Sequence, residues 1–131
     1  MAITGIDHIV LRVNDIDEGI ASYKKLGLEL TKTLETEGIG KQAIFHLADD
    51  TFIELVAPTD ASSAIARAIE RNGEGLHTVA FSVDDVKVTA ADVANNDAQV
   101  LPRADDDKQA YVHPKSMHGL LVQLQKKTEL V

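Results

Sequence analysis

The chain has no cysteine and no tryptophan, only three prolines, and aromatic residues make up just 4% of its 131 positions. Without cysteine there are no disulfides and no thiolate metal sites, so any metal must use histidine, carboxylate or amide ligands. The shortage of aromatic rings argues against a groove built to stack flat organic ligands. No apolar run reaches the roughly 18 residues of a spanning helix. The opening "MAITGIDHIV" lacks the basic flank and unbroken apolar core of a signal peptide, so a cytoplasmic protein without a membrane partner is expected. Basic residues are scarce too: thirteen Lys and Arg stand against twenty-one Asp and Glu, a formal charge of −8. That excludes the basic footprint of a nucleic-acid binder and serves solubility.

What the sequence does contain is a repeat. "GIDHIVLRVNDI" (5–16) and "GLHTVAFSVDDV" (75–86) superimpose at an offset of seventy positions, matching Gly5 to Gly75, Val13 to Val83 and Asp15 to Asp85. Each opens with the period-two alternation of a half-buried strand. Asn14-Asp15 and Asp84-Asp85 then supply helix N-caps, and Asp15 with Glu18 has capping-box spacing. Ile16, Ile20 and Tyr23 form one helix face, and Val86, Ala90 and Val93 repeat it. Three strand-like runs follow each helix: 28–35, 41–48 and 51–57 in the first half; 98–102, 109–113 and 119–125 in the second. The stretch 61–75 reads as a linking helix closed by a glycine turn. Each half is therefore β-α-β-β-β in an α+β protein. A single domain over 1–131 is expected, with module one at about 4–58, the link at about 61–73 and module two at about 75–126.

Strand parity sorts the polar residues. Ile9, Leu11 and Val13 face the first helix, leaving His8, Val10 and Arg12 on the opposite side. Likewise Thr78, Ala80 and Ser82 turn away from the second helix. Glu54 and Gln123 are lone polar residues opposite the apolar faces of their strands. Taken singly, each has an ordinary explanation as a solvated or hydrogen-bonded strand residue. Their equivalent places in a duplicated unit set them apart, since paired halves would turn His8, Glu54, Thr78 and Gln123 towards a common centre.

With these residues in view, the chain resembles the vicinal-oxygen-chelate (glyoxalase/bleomycin-resistance/dioxygenase) superfamily and, within it, the methylmalonyl-CoA epimerases, over residues 5–126. The likeness is carried by "DHI" (7–9), "IELVAPTDASSAIARAIERNGEGLHTVAFSVDDV" (53–86) and "VHPKSMHGLLVQL" (112–124). It implies paired βαβββ modules forming a curved, incomplete barrel-like sheet around a cleft. It also implies a homodimer that binds a small molecule or acyl-CoA.

The family's metal ligands fall on His8, Glu54, Thr78 and Gln123, with the second family histidine replaced by Thr78 and the last glutamate by Gln123. His77 has helix-side parity, and His46, His113 and His118 stand at no ligand position. A divalent metal (Co, Zn, Ni or Mn) is thus implied by the resemblance, and the two replacements imply one held weakly or not at all. The catalytic positions carried over are Glu54 and Gln123, but an amide takes up no proton at neutral pH. An opposing family base falls near Ala43. Arg12, on the His8 side of its strand, is a candidate to hold a substrate carboxylate bidentately. The function implied is an epimerase-like, metal-assisted proton transfer on a small carboxylate or acyl thioester with an altered metal site. A glyoxalase-type lyase or a non-catalytic, resistance-type binding protein stands as the alternative.

Overall fold

The computed structural model describes residues 3–102 and 107–130. The expected second module is therefore followed on either side of 103–106, which lie outside the described residues, as do positions 1, 2 and 131. Along the chain run β1 (Ile3–Arg12), α1 (Ile16–Lys24), β2 (Lys32–Thr36), β3 (Gly40–His46), β4 (Phe52–Ala57) and α2 (Ala64–Asn72). They are followed by β5 (Gly75–Val83), α3 (Val86–Asn95), β6 (Val100–Leu101), β7 (Gln109–Val112), a short 3₁₀ turn (Pro114–Ser116) and β8 (Leu121–Gln125). Hydrogen bonding orders the strands β2-β3-β4-β1-β5-β8-β7-β6 in a mixed sheet that does not close, with β5 and β8 parallel. Three helices and this sheet give the paired βαβββ arrangement, with α2 as the link.

The helix starts follow from their caps. Asp15 Oδ1 accepts from the Glu18 N–H at 2.9 Å, and Asp85 Oδ1 accepts from Val88 N–H at 3.0 Å. Ser63 Oγ accepts from Ala66 N–H at 3.1 Å, and α2 ends at Gly73 with φ +78°. Such caps satisfy backbone donors that have no partner within the helix. Gly40 serves close packing instead: a Cβ there would sit 2.1 Å from the Ala57 carbonyl oxygen.

Two compact units emerge, Ile9–His77 and a second formed by the residues up to His8 with those from Thr78 onward. In the first, Ala43, Phe45 and Leu55 are fully buried against Leu11, Val13, Ile16, Ile20 and Tyr23. Sealing Phe45 and Leu55 from water stabilises the unit by about 1.5–3 kcal/mol each. The other face of this unit's strands is covered in part, because Val10 and Val56 pack against Ile65 and Ile69 of α2. In the second unit, Val83, Val112, Val122 and Leu124 bury the sheet face that meets Val86, Ala90 and Val93 of α3. Both helix faces are those set by the repeat.

Candidate functional site

The second unit holds three of the expected residues. Register pairs Ala80 with Gln123 and Thr78 with Leu121. Because paired residues share a face and strands alternate, Thr78 and Gln123 lie together on the side away from α3. Both are buried, as is His8, with exposures of 3%, 6% and 5%. His8 Nδ1 is 2.7 Å from Oδ2 of Asp7, whose side chain is fully buried. Asp7 Oδ2 also accepts from Gln125 Nε2 at 3.0 Å and Thr128 Oγ1 at 2.8 Å, and its Oδ1 accepts from Thr128 N–H at 2.6 Å. Lys127 Nζ stands 3.5 Å from Oδ1. Burial alone would raise the Asp7 carboxyl, but hydrogen bonds from Thr128 and His8 and the nearby His8 charge outweigh it, leaving it below its ordinary 3.8. Gln123 Nε2 in turn donates to Gln125 Oε1 at 2.5 Å. His8 and Gln123 are thereby joined through Asp7 and Gln125. Sequence reasoning passed over Asp7. It stands inside "DHI", but its partners other than His8 lie more than a hundred residues away.

In the first unit Glu54 sits on β4, on the face shared with Val56. Its Oε2 accepts from Gln42 Nε2 at 3.0 Å, and Gln42 Oε1 accepts from the Thr36 hydroxyl at 2.6 Å. Register explains the meeting: Glu54 faces Ile44 across β3–β4, two residues from buried Gln42. Thr36 also lines a pocket of 710 Å³ together with Glu35, Thr59, Asp60, Ser63 and Arg67. That volume is within the range of small-molecule sites. Ala43, where a family base would fall, is fully buried in the core beneath α1.

Arg12 is engaged with the chain that follows α2. Its Nε donates to the Gly73 carbonyl at 2.7 Å and its Nη1 to the Leu76 carbonyl at 2.8 Å, joining the end of β1 to the chain leaving α2. Nη1 also lies 3.4 Å from His77 Nδ1. Burial, and then the Arg12 cation, push the His77 imidazole below its ordinary 6.5. His113 Nδ1 accepts from Lys115 N–H at 2.9 Å, and the His46 ring meets Phe52 edge-on. Neither contact is part of a metal site.

The donors present do not match a tightly held divalent metal. At the expected ligand positions the second unit offers one imidazole with a neutral amide and a hydroxyl, and Glu54 is a single carboxylate in the first. Among the described residues no group of three His, Asp or Glu side chains is placed to hold an ion. Zn and its neighbours are held by several anionic or imidazole ligands, and weak neutral oxygens are poor replacements.

Residues 7–113 match the family model described as the Glyoxalase/Bleomycin resistance protein/Dioxygenase superfamily. An ethylmalonyl-CoA/methylmalonyl-CoA epimerase of Cereibacter sphaeroides is 28% identical over 128 residues, covering 92% of this chain and 96% of that protein. The crystal structure of methylmalonyl-CoA epimerase from Mycobacterium tuberculosis superposes with a TM-score of 0.82 at 26% identity, covering 98% of this chain and 91% of the other. A variant of the Streptomyces coelicolor methylmalonyl-CoA epimerase, in complex with 2-nitronate-propionyl-CoA, gives 0.81 at 30% identity, covering 98% of this chain and all of that one. No helix among the described residues is long and apolar enough to cross a membrane.

Proposed function

The chain belongs to the Glyoxalase/Bleomycin resistance protein/Dioxygenase superfamily, and from that premise we propose that it is an acyl-CoA-directed isomerase-lineage enzyme that moves the proton next to a thioester with Glu54 as its one working carboxylate. The observation that carries this reading is the Thr36–Gln42–Glu54 chain. A carboxylate anchored through one oxygen by a buried amide is held in a defined orientation, as a general base must be. Thr36 ties that anchor to the wall of the 710 Å³ pocket, whose volume is that of a small-molecule site. Relatives and structural neighbours that are methylmalonyl-CoA epimerases support the substrate class.

The thioester carbonyl acidifies the adjacent carbon. Glu54 takes its proton, the resulting carboxylic acid returns one, and in heavy water the returned particle is a deuteron. A single base works from one face of the enolate, so exchange proceeds with retention. Inversion needs a second proton donor on the opposite face, and neither Gln123 nor Ala43 supplies one. Exchange should therefore outrun epimerisation. Both are read in one sample of methylmalonyl-CoA in heavy water, by mass and by chiral assay. Equal rates would show a second base at work. The reading includes a homodimer in the cytoplasm and Arg12 as an organiser of the segment after α2. Any metal is held weakly and serves no step above.

A second reading, binding without turnover, draws on Thr78 and Gln123, since both are buried and neither ionises near neutral pH. Ligand binding without any deuterium uptake would select it.

A further inference from the structure

β8 ends at Gln125, and residues 126–130 join no strand or helix. Among the described residues, their hydrogen bonds run to Gln125 at their own root and to Asp7 on β1. Thr128 gives Asp7 its backbone N–H at 2.6 Å and its hydroxyl at 2.8 Å. Lys127 Nζ stands 3.5 Å from both the Asp7 carbonyl oxygen and Oδ1. One side chain therefore ties the whole segment to the rest of its unit. Asp7 in turn has no exposed surface. A carboxylate kept from water is stable only while donors surround it, and a lost donor leaves a costly unpaired oxygen. Thr128 can leave only as water arrives, so detachment of the segment and wetting of Asp7 are one event. Gln125 shares in it. Its Nε2 reaches Asp7, Thr128 Oγ1 and the Lys126 carbonyl, at 3.0, 2.8 and 3.3 Å, while its Oε1 accepts from Gln123 Nε2.

We propose that residues 126–130 are a strap latched by Asp7, which opens and closes as one unit with the Gln125 and Gln123 side chains. Closed, the strap seals Asp7 and holds the Gln123 amide, through Gln125, in one orientation. Open, it admits water to Asp7 and takes from Gln125 the partners on its own segment, which releases Gln123. A half-open state gains little, because it exposes an unpaired carboxylate oxygen without hydrating it. The device belongs to the second unit and stands apart from the proton transfer assigned to Glu54 in the first.

The test joins amide hydrogen exchange, read by NMR, to trypsin cleavage after Lys127, both on the folded chain. Lys127 is exposed, while Thr128 beside it is bound, so cleavage follows the population of the open strap. In wild type the Thr128 backbone N–H should be protected, and the Gln125 and Gln123 side-chain amides should open with it. Thr128→Val removes the hydroxyl donor. It should raise all three exchange rates and the cleavage rate by a common factor of about 10–100, the worth of one hydrogen bond to a charged group. Thr128→Ser keeps the hydroxyl and should stay near wild type. Faster exchange at Thr128 alone, with Gln125 and Gln123 unchanged, would overturn the proposal, since the segment would then fray by itself. Equal loosening by Thr128→Ser would also count against it, by tracing the effect to a lost methyl group rather than to the latch. A wild-type Thr128 N–H that exchanges like an unstructured peptide would overturn it without any variant.

Discussion

At the scale of single residues, our proposal takes the hydroxyl of Thr78 to stand at a ligand position of the resembled family. Thr78 is buried on the sheet face it shares with Gln123, so an imidazole placed there would project to the same side. Thr78→His should tighten divalent-metal binding in calorimetric titration by adding a strong nitrogen donor. Wild-type protein should give up its metal on dialysis against a chelator. Stoichiometric metal surviving that dialysis would mean that Thr78 is not a lost ligand. Glu54 shows the converse case. One oxygen is anchored by Gln42, and Gln42 is itself set by Thr36, so the orientation of the carboxylate depends on three neighbouring strands of one unit.

At the scale of elements, Arg12 couples β1 to the segment following α2. Two charge-assisted bonds to the carbonyls of Gly73 and Leu76 make Arg12→Met destabilising by about 1–3 kcal/mol, measured by urea unfolding. Lysine should rescue little, because the two carbonyls are met by different nitrogens of one planar fork. A variant of unchanged stability that binds acyl-CoA poorly would instead return Arg12 to the ligand. The elements themselves were largely legible. The seventy-residue repeat displayed each helix twice, and parity placed Leu55 and Leu124 in cores and Glu54 and Gln123 opposite them. The departures have physical causes. Leu28 and Leu30 alternate as strand residues do, and they pack beneath α1, yet ladder pairing begins only at Lys32. The linking helix was legible, but not its docking side, so the covering of Val10 and Val56 by Ile65 came only with the fold. Asp7 stayed hidden because a buried carboxylate is identified by its partners, and Gln125 and Thr128 are remote in sequence.

For the whole molecule, an acidic composition and the displaced titrations of the buried His77 and Asp7 shape the response to pH. His77 holds its proton less tightly folded than unfolded, through burial and then Arg12. As pH falls through 6.5 the unfolded chain protonates first, so stability declines from there down to the lower folded value. Asp7, held below 3.8 in the folded state, contributes stability that is complete above that value and is lost as the pH falls towards its folded value. Urea midpoints measured between about pH 7 and pH 5 should therefore fall with acid. His77→Gln should flatten that upper step and leave the lower one, and an unchanged slope would remove His77 as its source. Membership of the superfamily supplies the fold, while under our proposal Glu54 decides what chemistry the chain performs. The most direct test is the uptake of deuterium at the α-carbon of methylmalonyl-CoA by wild-type protein and by Glu54→Gln. Wild type should wash deuterium in, and Glu54→Gln should slow it by about 10²–10⁴-fold, the usual contribution of a general base. Uptake that is absent in wild type, or unchanged in the variant, would contradict the assignment of Glu54 as the proton-moving carboxylate.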